Sequence, residues 1–143
     1  MKDKLFFDTN IICYAFDLAE PVKRKTCKKL VERVFNGEIS GVVSNQVLGE
    51  AFIAAVTKIK MPVDKAAIMV KSLIASDKWD KINYNYITIK HAVDNFEKSN
   101  APFWDLLIAE TMKENRITEI ITENEKDFSK IPEIKVTNPF KPK

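Results

Sequence analysis

Four short stretches each set a carboxylate beside an apolar run: LFFDTN with Asp8, SNQVLGEAF with Glu50, FWDLLIAET with Asp105 and ITENEKDF with Asp127. An acid in that position is drawn toward the interior, where a lone carboxylate is heavily penalised and several together repel. Something must neutralise them. Mg²⁺ or Mn²⁺ does so, because hard cations prefer oxygen ligands and keep waters that can act as nucleophile or carry a phosphate. Sites of this kind hydrolyse phosphodiesters. They need no strong side-chain nucleophile, in keeping with a chain whose one histidine, His91, sits in a helical context far from any Ser or Cys motif.

Each acid also has a plainer reading. Asp8 can cap a helix after a strand, with Asn10 as a turn residue. Asp105 can be a favourable charge at a helix N-terminus. Glu50 can be an exposed helix carboxylate, and Asp127 a cap or a surface partner of Lys126 or Lys130. Thr9 and Thr122 can hydrogen-bond the carboxylates or simply close turns.

The elements that must position these groups alternate. KLFFD (4–8) reads as a buried strand ending at Asp8. After Pro21, the apolar positions Val22, Cys27, Leu30, Val31, Val34 and Phe35 follow helical spacing, and Gly37 is placed to end that helix. ISGVVS (39–44) reads as a strand, after which Ser44 or Asn45 can cap a helix carrying Glu50 beside its apolar face. A helix over 63–75 turns Ala66, Ala67, Val70, Leu73 and Ile74 inward. DKINYN (80–85) is a short strand, Thr88 caps a helix carrying Ile89, Ala92, Val93 and Phe96, and Pro102 precedes a helix over 103–114 with Trp104, Leu107, Ile108 and Met112 at core spacing. EIIT (119–122) and IKVT (134–137) are strands. The alternation argues for an α/β fold with a mainly parallel sheet, which binds ligands beyond the carboxyl ends of its strands at the switch in strand order. Asp8 and the segment after Ile121 are at such ends.

The 143 residues, 45% hydrophobic, suffice for one core and leave no room for a second domain, so residues 1–143 read as one unit. The start is too short an apolar run for a secretory signal, and no stretch approaches a membrane span. Cys13 and Cys27 have neither metal-site spacing nor a secreted framework, which points to packing roles in a reduced cytoplasm. A net charge of +3 is mild, but VKRKTCKKLVER places Lys25, Lys28 and Lys29 on one helix face, either an RNA-guiding surface or a solvated exterior. Phe103 and Trp104 could stack on bases, though the spacing of Trp104 favours the core. A phosphatase of the haloacid dehalogenase type wants a second Asp where Asn10 stands, and a receiver domain wants an acidic pair and a late Lys that are absent.

The chain resembles the PIN-domain ribonucleases, and among them the VapC-type toxins of toxin–antitoxin pairs. The resemblance covers nearly the full length: the initial DTN (Asp8, Thr9, Asn10), S-x-Q-V-L-x-E-x-F around Glu50, F-W-D-x-L-I-A around Asp105, T-x-N-x-x-D-F (Thr122, Asn124, Asp127, Phe128) and the closing V-x-N-P-F. It implies a five-stranded mainly parallel sheet flanked by helices, Mg²⁺- or Mn²⁺-dependent cleavage of single-stranded RNA, a homodimer and a cognate antitoxin protein. By the same resemblance Asp8 and Asp105 hold the principal metal, and Glu50 and Asp127 complete the acidic cluster. Many relatives carry an acid at Asn124, so the fourth ligand is Asp127, Glu123 or the neutral oxygen of Asn124. A free-standing RNA-processing nuclease and a degenerate binding module are the competing functions.

Overall fold

The computed structural model describes residues 3–142. Its elements run β1 (Lys4–Phe7), α1 (Thr9–Tyr14), α2 (Pro21–Phe35), β2 (Ser40–Ser44), α3 (Asn45–Thr57), α4 (Val63–Ala75), β3 (Trp79–Ile82), α5 (Tyr86–Phe96), α6 (Phe103–Glu114), β4 (Glu119–Ile121), α7 (Glu125–Phe128) and β5 (Lys135–Thr137). The five strands form one sheet in the order β3-β2-β1-β4-β5, and every pairing is parallel. The expected PIN-like α/β architecture is therefore present, with the sheet parallel throughout.

β1 is central, and after the exposed Lys4 it reads as the apolar run Leu5, Phe6 and Phe7, as expected of a strand covered on both faces. Phe6 and Phe7 are fully buried, each contributing about 1.5–3 kcal/mol by leaving water. Phe7 meets Trp79 of β3 edge-on at 4.9 Å. Gly41 in β2 is required by close approach: a Cβ there would lie 2.7 and 2.8 Å from the methyls of Val34 and 2.9 Å from the Trp79 ring. Gly37 follows α2 with φ 77°, the left-handed position that glycine fills most cheaply after a helix.

Several expectations shift. β3 begins at Trp79 rather than Asp80 and stops at Ile82, because the chain then turns out of the sheet, where Asn45 Oδ1 takes the Tyr84 N–H. α5 is capped by Asn85, not Thr88; Thr88 is the reciprocal partner in a capping box. Val22 is 79% exposed, the buried stripe of α2 being Cys27, Val31 and Val34. In α4 Met69 takes the buried place expected of Ile74. Trp104 is 57% exposed rather than core: it lies in the first turn of α6, before the stretch 106–112 that the fold covers, and packs on Phe103 at 5.2 Å. Among the described residues no helix is long and apolar enough to cross a membrane.

Candidate active site

With β1 in the middle, the next strand β2 lies on one side and β4 on the other, so the strand order switches between β1 and β4. Phe7 pairs with Ile121, and the Asp8 N–H continues the ladder to the Ile121 carbonyl at 3.1 Å. Asp8 and Thr122 thus leave adjacent strands at the switch-point crevice.

Asp8 is buried and does cap α1, its Oδ1 accepting the Thr9 N–H at 2.8 Å. Its Oδ2 accepts from the Thr122 hydroxyl at 2.7 Å and from Asn10 Nδ2 at 3.3 Å. Capping and site membership are therefore one arrangement. Burial pushes the Asp8 carboxyl above the ordinary carboxylate range and the charge of Glu50 adds to this, against the hydrogen bonds from Thr122, Thr9 and Asn10.

Ser44 caps α3, accepting the Val47 N–H at 3.2 Å, which sets Glu50 in the second turn. The Thr9 hydroxyl donates to Glu50 Oε1 at 2.8 Å, and Gln46 Nε2 donates to Oε2 at 3.3 Å. Asp105 lies in the first turn of α6. Burial, followed by the charges of Asp8, Asp127 and Glu50, pushes its carboxyl up to about 6, and a hydrogen bond from Asn124 opposes them. That bond, Asn124 Nδ2 to Asp105 Oδ2, is 3.3 Å long, while the Asn124 N–H donates to the Thr122 hydroxyl at 2.9 Å. A relay of Asp8, Thr122, Asn124 and Asp105 thus crosses the crevice.

Asp8, Thr9, Asn10, Glu50 and Asp105 open onto one groove of about 890 Å³, whose walls also carry Asp17, Glu20 and Lys58. Asp127 is not on that wall. It is half-buried, raises the Asp105 carboxyl through space, and pairs with Lys130 at 3.6 Å. Glu123 is engaged elsewhere: Lys23 Nζ donates to its Oε2 at 2.5 Å and the Tyr14 hydroxyl to its Oε1 at 2.6 Å. Burial alone would raise this carboxyl, but those donors outweigh it and hold it below the usual range. Lys23 also lies over the rings of Tyr14 and Phe140.

Of the other expected residues, Lys25, Lys28 and Lys29 are exposed on α2 and none lines the groove. Lys28 instead faces Glu32 at 3.9 Å. Phe103 is half-buried between Phe96 and Trp104. Tyr14, Lys23 and Gln46 carry contacts that the sequence reading did not assign. Gln46 had a legible sign, a polar residue one turn before Glu50 on an apolar stripe, whereas Lys23 meets Glu123 across 100 positions.

The donor set is all oxygen and suits a hard cation. Among the described residues no three His, Cys, Asp or Glu side chains converge on a single metal-holding point.

A family model described as PIN domain matches residues 5–134. Among solved structures, the fold is similar to a toxin–antitoxin complex from Klebsiella pneumoniae, at 23% identity over 95% of this chain and 98% of that one with a TM-score of 0.65. It is similar to VapC20 from Mycobacterium tuberculosis, a sarcin-ricin loop cleaving toxin, at 18% identity over 87% and 92% with a TM-score of 0.66. VapBC2 from Rickettsia felis, bound to a promoter DNA fragment, matches at 19% over 94% and 98% with a TM-score of 0.67. These identities speak for shared fold. No curated protein sequence matches the chain. The family model, the strand order and the acids at its switch point agree: the chain belongs to the PIN-domain family.

Proposed function

We propose that the protein is a Mg²⁺- or Mn²⁺-dependent endoribonuclease that hydrolyses single-stranded RNA, acting as the toxin of a toxin–antitoxin pair. The observation that carries this reading is that Asp8, Glu50 and Asp105 line one open groove, with no ion pair to any of them among the described residues. Asp8 and Asp105 hold the principal ion, and Glu50 orients the attacking water. Asp127, which is not among the groove's lining residues, acts on Asp105 through its charge. Asn124 offers a neutral oxygen and steadies Asp105, and Thr9, Asn10 and Thr122 hold the carboxylates. A bound divalent cation supplies an acidified water and charge stabilisation for the phosphate oxygens. Lys58, the one cation among the described residues that line the groove, would meet a backbone phosphate.

Two surfaces support partners. The exposed apolar side chains Ile89, Val93 and Phe96 of α5, continued by Trp104, suit a second copy of the chain and hence a homodimer. A separate apolar groove of about 580 Å³, lined by Phe16, Leu18 and Phe35 with Arg24, Lys28 and Lys65, suits an amphipathic acidic antitoxin segment. The free, buried Cys13 and Cys27 suit a reducing compartment, and we place the protein in the cytoplasm.

The test is cleavage of single-stranded RNA with Mg²⁺ or Mn²⁺, arrest by EDTA and poor replacement by Ca²⁺, whose coordination is looser. Robust cleavage in EDTA by a preparation free of contaminating nuclease overturns it. A second reading, a degenerate PIN domain that binds RNA or protein without cutting, is favoured by Asn124 standing where many relatives carry an acid; it predicts binding without cleavage under every divalent ion.

A further inference from the structure

Gln46 is out of place by composition. It lies on the covered side of α3 with Val47, Ala51 and Ala55, and is only 8% exposed. Its Oε1 is buried and accepts no hydrogen bond among the described residues, a burden that an apolar residue of similar size would avoid. The amide is not simply reversed, because Nε2 faces two acceptors: Glu50 Oε2 at 3.3 Å and the Trp104 carbonyl at 3.1 Å. One end of this pair is the carboxylate one turn along α3. The other is the backbone immediately before Asp105. A single side chain therefore ties the helix that carries Glu50 to the first turn of the helix that carries Asp105, and that first turn has no side-chain cap of its own.

We infer that Gln46 is a positioning residue for the metal site: its two N–H groups fix the Glu50 carboxylate and the spacing between Glu50 and Asp105. Glu50 is then held from both sides, by Thr9 on Oε1 and by Gln46 on Oε2, with lone pairs remaining on each oxygen. Groups that orient ligands in this way typically govern metal affinity by 10–100-fold. The inference rests on the proposed reading of the site as metal-binding.

The test is Mn²⁺ titration by electron paramagnetic resonance, without RNA, on the full chain and on Gln46→Met, in both the wild-type and Glu50→Gln backgrounds, with thermal melts in EDTA alongside. Gln46→Leu replaces Gln46→Met if the latter does not fold. The expected result is at least about tenfold weaker Mn²⁺ binding in the wild-type background and a much smaller change once Glu50 is already Gln, since the two residues act through one another. Equal Mn²⁺ affinity with and without Gln46, or the same fold-loss in both backgrounds, overturns the inference. Failure of the wild-type chain to bind Mn²⁺ overturns instead the metal-dependent function on which it rests.

Discussion

Glu123 and Asn124 are neighbours in the chain, yet the carboxylates they bear or serve live in opposite surroundings. Glu123 has a cation, Lys23, and a phenol, Tyr14, one on each oxygen, and its carboxyl is held low. Asp105, met by Asn124, has an amide and three other acids for company, and its carboxyl is pushed up to about 6. Both are acids at the carboxyl edge of one parallel sheet. The first has its counter-charge built in and ties the β4–α7 loop to α1 and α2. The second has no ion pair among the described residues, and on the proposed reading takes its counter-charge from solution. Acidity at a sheet edge is thus a poor guide to function until the counter-charges are traced.

The largest expected effect breaks the second half of this comparison. Asp8→Asn and Asp105→Asn should each lower cleavage by more than about a hundredfold, since removing a ligand exceeds the 10–100-fold cost of disturbing a group behind it. Melting temperature in EDTA should stay equal or rise, because one repelling charge is gone and Asn still caps α1. Asp8→Ala should by contrast lose about 0.5–2 kcal/mol of capping. If the Asn variants melt as low as Asp8→Ala, the acids are structural.

Next comes pH. Between the ordinary aspartate value of 3.8 and about 6, the folded chain keeps the Asp105 proton that the unfolded chain has lost. Stability without metal should therefore fall as pH rises through that window, and Asp105→Asn should flatten the trend. Mn²⁺ affinity should move the other way, weakening by up to about tenfold per unit below pH 6 as the proton competes. Melts and titrations at pH 4.5, 6 and 7.5 check both signs.

A smaller effect tests the other carboxylate. Lys23→Met and Glu123→Gln should lower the melting temperature while changing Mn²⁺ affinity less than about twofold, the opposite pattern to Asp105→Asn. A large loss of metal affinity in Glu123→Gln would place that residue in the site after all. The smallest effect concerns lysines. Lys58→Gln should weaken RNA binding and reduce the salt slope by about one, whereas Gln at Lys25, Lys28 and Lys29 together should cost less per charge removed, because none of them lines the groove.

That Asp8, Glu50 and Asp105 face one groove was legible because each adjoins an apolar run, and burial against repulsion is a local contradiction that sequence displays. The parallel sheet was legible from the alternation of short apolar runs with helical spacing. What stayed hidden depends on contacts across the chain. Nothing near Glu123 announces Lys23, so their ion pair could not be read locally. Trp104 has core spacing along its own helix, but spacing does not say where the neighbouring layer ends. Thr88 looked like a cap because it belongs to one, and only the fold shows Asn85 at the head of the box. The basic face of α2 was correctly a face, but its distance from the groove is a matter of topology.

The central strand has a consequence for how the molecule is made. β1 is made well before its neighbour in the sheet: the strand that completes the crevice pairs Phe7 with Ile121, and Thr122, which holds Asp8, follows it by 114 positions. Chains emerge and fold from the N-terminus, so a partly translated chain displays Asp8 and Glu50 without the loop that arms them. On the proposed reading, the ribonuclease site is incomplete until that loop has been made, a delay written into strand order rather than into any inhibitor.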